Sequence, residues 1–459
     1  MRQAIAAFLP IVCLAGCMAP DTPPPAGAKI EPPEGWRSGL PGQGVVDVRW
    51  WQAFGDPVMS RLVDAALANN IDIAIAVARV REARAQEVLA RAQLFPTLDA
   101  NASGSHARSV SPFGTATEGT SAQPTVQAAY EVDLFGRIDD QVSAARSAWL
   151  ASEAARDATQ LSVAAATASG YVTLLALETR REVVRDTITA RQESLRIARS
   201  RSEVGYTSQL ELRQAEAEYQ AAALILPQVE LAITRQENAL RLLAGEVPGP
   251  VERGGSLASL TPPSVPDQGL PSELLRRRPD IAQAELTLAS SDATLSAARK
   301  QFLPSVRLAA SAGAVFSDAL ADPITIWSIG GSVLAPLFAG GRLRAGVETA
   351  AARRDQAAFA YRRTALTAFR EVEDALANVS SLRSQRTIAE AQRVAIADAL
   401  RHAHNRYRAG YSSYLEELDA QRALLSADLG LVQLRADEMN GLVSLYQVLG
   451  GGWSTGTLE

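Results

Sequence analysis

The stretch Leu161-Ser162-Val163-Ala164-Ala165-Ala166-Thr167-Ala168-Ser169-Gly170-Tyr171-Val172-Thr173-Leu174-Leu175 lies inside a run from Arg137 to Val204 that has no proline and one glycine, Gly170. Leu161, Ala164, Ala168, Tyr171, Leu174 and Leu175 recur at steps of three and four, the apolar stripe of an α-helix. At 1.5 Å per residue such a helix is a rod roughly 100 Å long. That is about three times the hydrocarbon thickness of a bilayer, and far beyond the ~11–12 residues of an average globular helix. The run from Arg342 to Ala409 repeats the pattern, with no proline and only Gly346. Two such rods in one chain predict a long object rather than a ball.

Outward from these rods the chain is duplicated. Asp72-Ile73-Ala74 returns as Asp280-Ile281-Ala282, and Phe95-Pro96-Thr97-Leu98 as Leu303-Pro304-Ser305-Val306, each 208 residues later. Leu134-Phe135-Gly136-Arg137 matches Leu337-Phe338 with Gly341-Arg342, and Gly205-Tyr206 matches Gly410-Tyr411. Each repeat, 51–247 and 273–450, reads as helix, two extended segments, very long helix, tight turn and helix. In the first, a helix opens at Asp56-Pro57 and runs to about Gln93, before Pro96. The long helices span 137–204 and 342–409, and the returning helices 209–243 and 414–449. A proline-rich linker, 248–272, joins the halves, and a short tail, 451–459, follows.

The extended segments alternate with period two. Between 97 and 107, Thr97, Asp99, Asn101, Ser103 and Ser105 alternate with Leu98, Ala100, Ala102 and Gly104. Between 125 and 133, Thr125, Gln127, Glu131 and Asp133 alternate with Val126, Ala128, Tyr130 and Val132. Segments 305–316 and 324–334 repeat the pattern, the second less cleanly. About ten residues is the length of a tilted transmembrane strand. A free four-stranded sheet on such rods has open edges and no partner layer. Four strands cannot close a membrane barrel, for which eight is the practical minimum. Two copies give eight strands with a filled interior. Three give twelve with room for a lumen, which the wet strand faces favour.

The formal charge of −5 gives no sign of a nucleic-acid partner. Residues 1–16 read as a leader, with Arg2 ahead of a short apolar stretch. Leu14-Ala15-Gly16-Cys17 resembles a bacterial lipobox, which implies cleavage before Cys17 and its acylation. Cys13 and Cys17 are the only cysteines, so no disulfide framework is possible. Met18 rather than Asp after Cys17 points, by resemblance to bacterial lipoproteins, to the outer membrane. Residues 17–50 follow as a lipid-anchored tether.

Longer motifs now join the pattern: Trp50-Trp51 through Asp56-Pro57, Leu67-Ala68-Asn69-Asn70, Leu274-Leu275-Arg276-Arg277-Arg278-Pro279-Asp280-Ile281 with Ala284-Glu285, and Ala335-Pro336-Leu337-Phe338-Ala339-Gly340-Gly341-Arg342. The sequence resembles the TolC-like outer membrane factors, most closely their lipoprotein branch that serves drug-efflux pumps, over essentially all of the mature chain. The resemblance implies a mainly α fold with a transmembrane β part: a homotrimer with a twelve-stranded outer-membrane β-barrel over a periplasmic α-barrel. Tether, linker and C-terminal residues would form a mixed equatorial region. It implies an exit duct of a tripartite exporter, with a periplasmic adaptor and an inner-membrane pump, commonly of the resistance-nodulation-division type. The other readings are a duct for a protein-secretion exporter and a non-conducting periplasmic scaffold or adaptor lipoprotein.

The turns Gly205-Tyr206-Thr207-Ser208 and Gly410-Tyr411-Ser412-Ser413 are the candidate adaptor-docking tips, with glycine as helix C-cap and serine as N-cap. By resemblance, Leu415 corresponds to an apolar constriction ring, Asp419 to an acidic ring, and Arg406 to a latch on a neighbouring helix. Glu211 lies near the same depth in the first hairpin. Leu415 and Asp419 share a helix face, and three-fold symmetry would gather three carboxylates into a cation-attracting ring. Asp419 also stands three residues before Arg422, an alternative partner. Glu416 and Glu417 read as solvated. His402 and His404, two apart on a helix, face different ways and read as a solvated pair. With no HExxH, GxSxG, phosphate loop or paired-cysteine zinc pattern, the sequence suggests no enzyme, metal or cofactor.

Overall fold

A computed structural model describes residues 23–42, 46–110 and 112–453. The leader 1–16, Cys17 and residues 454–459 of the tail lie outside the described residues. In chain order come α1 (Pro57–Asn69), α2 (Ile71–Ala92), β1 (Thr97–Val110), β2 (Ala116–Val132), α3 (Arg137–Glu203), α4 (Gln209–Leu243), α5 (Pro271–Arg277), α6 (Pro279–Lys300), β3 (Ser305–Ser317), β4 (Ile324–Leu334), α7 (Arg342–Arg408) and α8 (Tyr414–Val448). The duplication is metrically close: α3 and α7 have 67 residues each, α4 and α8 have 35 each. Two compact units form, and they cut across the repeats. One takes residues up to Lys29, Arg79–Glu153 and Gln283–Arg363; the other takes Ile30–Ala78, Ala154–Ala282 and Thr364–Glu459.

The first unit holds an antiparallel sheet in the order β1-β2-β3-β4, which leaves β1 and β4 as edges. Its register sorts the side chains cleanly. Leu98, Ala128, Ala310 and Ile329 form one cross-strand row, and Ala100, Val126, Ala312 and Trp327 another on the same face. The opposite face carries the row Asp99, Gln127, Ser311 and Ser328. Ser311 and Ser328 hydroxyls lie 2.8 Å apart there, and Ser105 and Ser121 hydroxyls 3.1 Å.

Two strands are longer than the alternation suggested. β1 continues past Ala107 to Val110, and β2 begins at Ala116 rather than Thr125. Thr117, Glu118 and Thr120 have loop-like composition, yet they pair with Ser109, Arg108 and His106. The His106 ring bridges Thr120 Oγ1 at 3.0 Å and Glu118 Oε1 at 3.1 Å. Such cross-strand pairs hold a ladder that composition alone does not announce. The β2–β3 pairing skips Gln123 and Pro124, where proline has no N–H to give.

The single helix expected from Pro57 to about Gln93 is two, α1 and α2. Asn70 is the hinge, with extended backbone at φ −62°, ψ 134°. Its Oδ1 accepts from the amides of Asp72 (2.9 Å) and Ile73 (3.2 Å), capping α2. The second repeat breaks at Arg278, which precedes Pro279 and is therefore held extended.

In the second unit Leu174, Val229, Ile233, Leu240 and Val251 make one core, and Ala66, Ile73 and Val163 another. Gly170, the lone glycine of α3, is where α4 approaches closely: a Cβ there would sit 2.9 Å from Leu240 Cδ2. Gln236 Nε2 donates to the Gly170 carbonyl at 2.9 Å. Asp56 ties the entry of α1 to α3 and the linker. It accepts from Val58 N (2.7 Å), Met59 N (3.0 Å) and the Tyr171 hydroxyl (3.1 Å). Gly254 N in turn donates to that hydroxyl at 2.8 Å. Burial, with the Asp56 carboxylate adding to it, pushes the Tyr171 phenol up to about 12. One 18-residue window of α3 is apolar enough by composition to cross a bilayer, but half of it is buried in the protein.

Candidate functional site

Both hairpin turns close the same way. Gly205 and Gly410 sit at positive φ, 76° and 79°, where a side chain would strain the backbone. The next amide reaches back five residues, Tyr206 N to Arg201 O at 2.8 Å and Tyr411 N to Arg406 O at 2.9 Å. These are Schellman closures, which satisfy the last helical carbonyls. Ser208 caps α4 through Glu211 N at 3.3 Å. Ser413 makes no side-chain cap, contrary to expectation, and the neighbouring Ser412 Oγ is buried without a hydrogen-bond partner. Tyr206 and Tyr411 project into solvent, 86 % and 81 % exposed. Thr207 instead turns inward and donates to Glu211.

Behind the turns the two hairpins share a core. Ala198 of α3, Ala215 of α4, Tyr407 of α7, and Tyr414 and Leu418 of α8 are all buried in it. The Tyr407 and Tyr414 rings lie 5.6 Å apart, and Arg201 stacks 4.7 Å above Tyr407. The Tyr407 hydroxyl donates to Glu211 and so ties α7 to α4. Burial first, and then that carboxylate, hold the Tyr407 phenol well above its usual range. Burial and the nearby Glu417 push the Tyr414 phenol up to about 12.

One layer deeper, Glu218 of α4 is buried between two arginines. Arg191 of α3 meets its carboxylate at 3.0 Å and its carbonyl at 2.8 Å. Arg422 of α8 binds the same carboxylate. Arg422 also reaches Asp419 at 3.6 Å. Asp419 and Leu415 lie one turn apart on α8, both exposed. Arg406 meets Glu416 of α8 at 3.8 Å, with both side chains more than half exposed.

The reading of Glu417 as solvated is overturned, while His404 keeps 42 % of its side chain exposed. Glu417 is only 2 % exposed, and its Oε1 lies 2.8 Å from His404 Nδ1. A signal for both buried acids was present: Glu218 falls between Ala215 and Ala222 on an apolar stripe, and Glu417 between Tyr414 and Leu418. His402 pairs loosely with exposed Asp398 at 3.6 Å. Among the described residues no group of three or more His, Cys, Asp or Glu side chains is placed to hold a metal.

The sequence matches the family described as outer membrane efflux protein over residues 62–246 and 270–451. The chain belongs to that family. It is 34 % identical over 416 residues to the toluene efflux pump outer membrane protein TtgC of Pseudomonas putida, covering 88 % of this chain and 85 % of the relative. The outer-membrane channel OprN superposes with a TM-score of 0.87 at 28 % identity, over 95 % of this chain and 99 % of that one. The open-state MtrE outer membrane channel of Neisseria gonorrhoeae gives 0.84 at 30 % identity, over 95 % and 98 %. This outer membrane efflux protein is therefore a channel subunit of the outer membrane that extends into the periplasm.

Proposed function

We propose that three copies of this chain form the passive exit duct of a tripartite efflux system. The observation that carries the reading is the sheet: two open edges, one apolar face and one wet face. On β3 the apolar-face positions run from Val306 to Phe316. Ten steps of about 3.4 Å, tilted by about 40°, span roughly 26 Å, close to the ~25 Å lipid-facing band of outer-membrane barrels. Edge β1 of one copy pairing with β4 of the next satisfies both open ladders, and closure at twelve strands leaves a lumen lined by hydroxyls and amides.

Cargo enters from an inner-membrane pump, of the resistance-nodulation-division type, through a periplasmic adaptor. The adaptor docks on the exposed tip residues around Tyr206 and Tyr411. Leu415 and Asp419 form the apolar and acidic rings of the tip, with Arg406 as a latch and Glu211 as a tie of the first hairpin. The cargo is small organic molecules, the class to which the toluene of the TtgC relative belongs. The duct performs no chemistry of its own, and its energy comes from the pump. Cys17, acylated, anchors each chain to the inner leaflet.

The deciding experiment is the absolute mass of the detergent-extracted protein, corrected for bound detergent, followed by single-channel recording. A mass of three chains with a cation-preferring conductance supports the duct. A stable, folded single chain leaves both sheet edges open, rejects the barrel and favours a scaffold.

A further inference from the structure

The two corners where a strand hands over to a long helix are related by the duplication but are not equally covered. Just past β2, Leu134 and Phe135 are 62 % and 44 % exposed; just past β4, their counterparts Leu337 and Phe338 are 94 % and 92 % exposed. The first corner faces the corner between α6 and β3, where Leu303 and Pro304 are half-buried. Leu134, Phe135, Leu303 and Pro304 line one cavity of about 320 Å³. The counterparts of Leu303 and Pro304 are Phe95 and Pro96, between α2 and β1, and both are exposed, Phe95 by 63 %. The chain thus makes this corner contact once within itself. It carries the two halves of a second one, exposed, beside the opposite edges of its sheet.

The charges change in step with the exposure. At the covered corner, Lys300 Nζ donates to the Gly136 carbonyl at 3.1 Å and pairs with Asp140 at 2.7 Å. Arg137 pairs there with Glu131 at 2.6 Å. Lys300 stands three residues before Leu303, and Ala92 three before Phe95. Asp140 stands three after Arg137, and Ala345 three after Arg342. Glu131 stands three before Leu134, and Leu334 three before Leu337. The lysine and both carboxylates of the in-chain tie have therefore given way to apolar residues at the exposed corner. What remains there is a shelf of apolar surface, and such a patch marks a contact site.

We propose that the shelf of Leu337 and Phe338 receives Phe95 and Pro96 of the next copy of this chain. The inference rests on the reading of the chain as a three-copy duct, and it adds where the copies grip each other outside the strand ladder. The shelf lies just past β4 and Phe95 just before β1, the two edge strands. Both corners are at the helical end of the sheet, so pairing of β4 with β1 of the next copy brings them together. A contact between unlike surfaces of identical chains closes into a ring when its rotation allows. The corner inside each chain is tied by charge, and the corner between chains by apolar packing, which salt does not screen.

The test is Phe95→Cys with Phe338→Cys in the full chain, treated in isolated outer membranes with a short bismaleimide and run on a denaturing gel. Covalent dimers and trimers are expected, about tenfold above either single-cysteine variant. Leu134→Cys with Leu303→Cys, the same corner within one chain, is expected to give no such products. A wild type of three chains by mass, with no product from the Phe95→Cys and Phe338→Cys pair, overturns the shelf contact and leaves the duct standing. A wild type that is a folded single chain by mass overturns the duct reading as well. If the cysteine pair does not assemble, Phe338→Glu is compared with and without Phe95→Lys. Trimers restored by the second change support the contact. Equal loss in both, as a shelf that meets only lipid would produce, overturns it.

Discussion

The two hairpin tips use the same turn and spend their acids differently. In the first hairpin Glu211 faces its neighbour, where Tyr407 and Thr207 donate to it, and Glu218 one layer below is locked by two arginines. In the second, Asp419 stays in solvent with a loose arginine partner, while Glu417 is buried against a histidine. The duplication therefore copies backbone geometry and not side-chain duty. The first tip is a fastening, and the second is a fastening with an exposed charge left over.

The largest effect is expected from Glu218→Ala. It leaves Arg191, whose side chain is 5 % exposed, buried without its carboxylate. Such a loss costs about 3–5 kcal/mol, and early collapse of tip protection in hydrogen exchange is the readout. A smaller value would mean that the first tip is no firmer than the second. Next, Tyr407→Phe removes a hydrogen bond to a carboxylate, worth about 1.5–3 kcal/mol. Its expected result is a higher resting conductance, because α7 is released from α4.

A smaller, shared loss is expected in alkali. Tyr171 and Tyr414 move from an ordinary value of 10.0 to about 12 in the fold. The unfolded chain therefore gives up these protons first, and stability falls between about pH 10 and about 12. Phenolate absorbance recorded alongside helix loss checks the order of events. The smallest stability change belongs to Asp419→Asn with Arg406→Ala. Both side chains are more than half exposed, so stability shifts by about 0.5 kcal/mol or less. Cation preference is expected to fall nonetheless. Unchanged selectivity would remove Asp419 from the conduction path.

Much of this architecture was legible because its punctuation is strong. Proline and glycine bracket the long helices, and the repeat fixes their length twice, so α3 and α7 end within a residue of the expected positions. The sheet faces follow from period-two alternation, least cleanly in β4, and the register sorts them row by row. The misreadings came where tertiary contact outweighs local pattern. The break at Asn70 is invisible to periodicity, because Ile71 and Ile73 continue an apolar series across it. The start of β2 at Ala116 depends on pairing with β1, not on its own composition. Glu417 stands beside Glu416, and the stripe of Tyr414 and Leu418 on which it lies marks it as the buried one only once α8 is packed against α7. Arg191 lies in mid-helix, 27 positions before Glu218, and only the return of the hairpin brings the two together.

The unpaired edges of the sheet also have a genetic consequence. A barrel that needs β1 of one chain to meet β4 of the next has no private copy of its own wall. In a cell making intact and damaged chains in equal amounts, random assortment into threes leaves only about one duct in eight wholly intact. A lesion at either edge should therefore be dominant over the normal allele, while a lesion that destroys the chain before it meets its partners should be recessive.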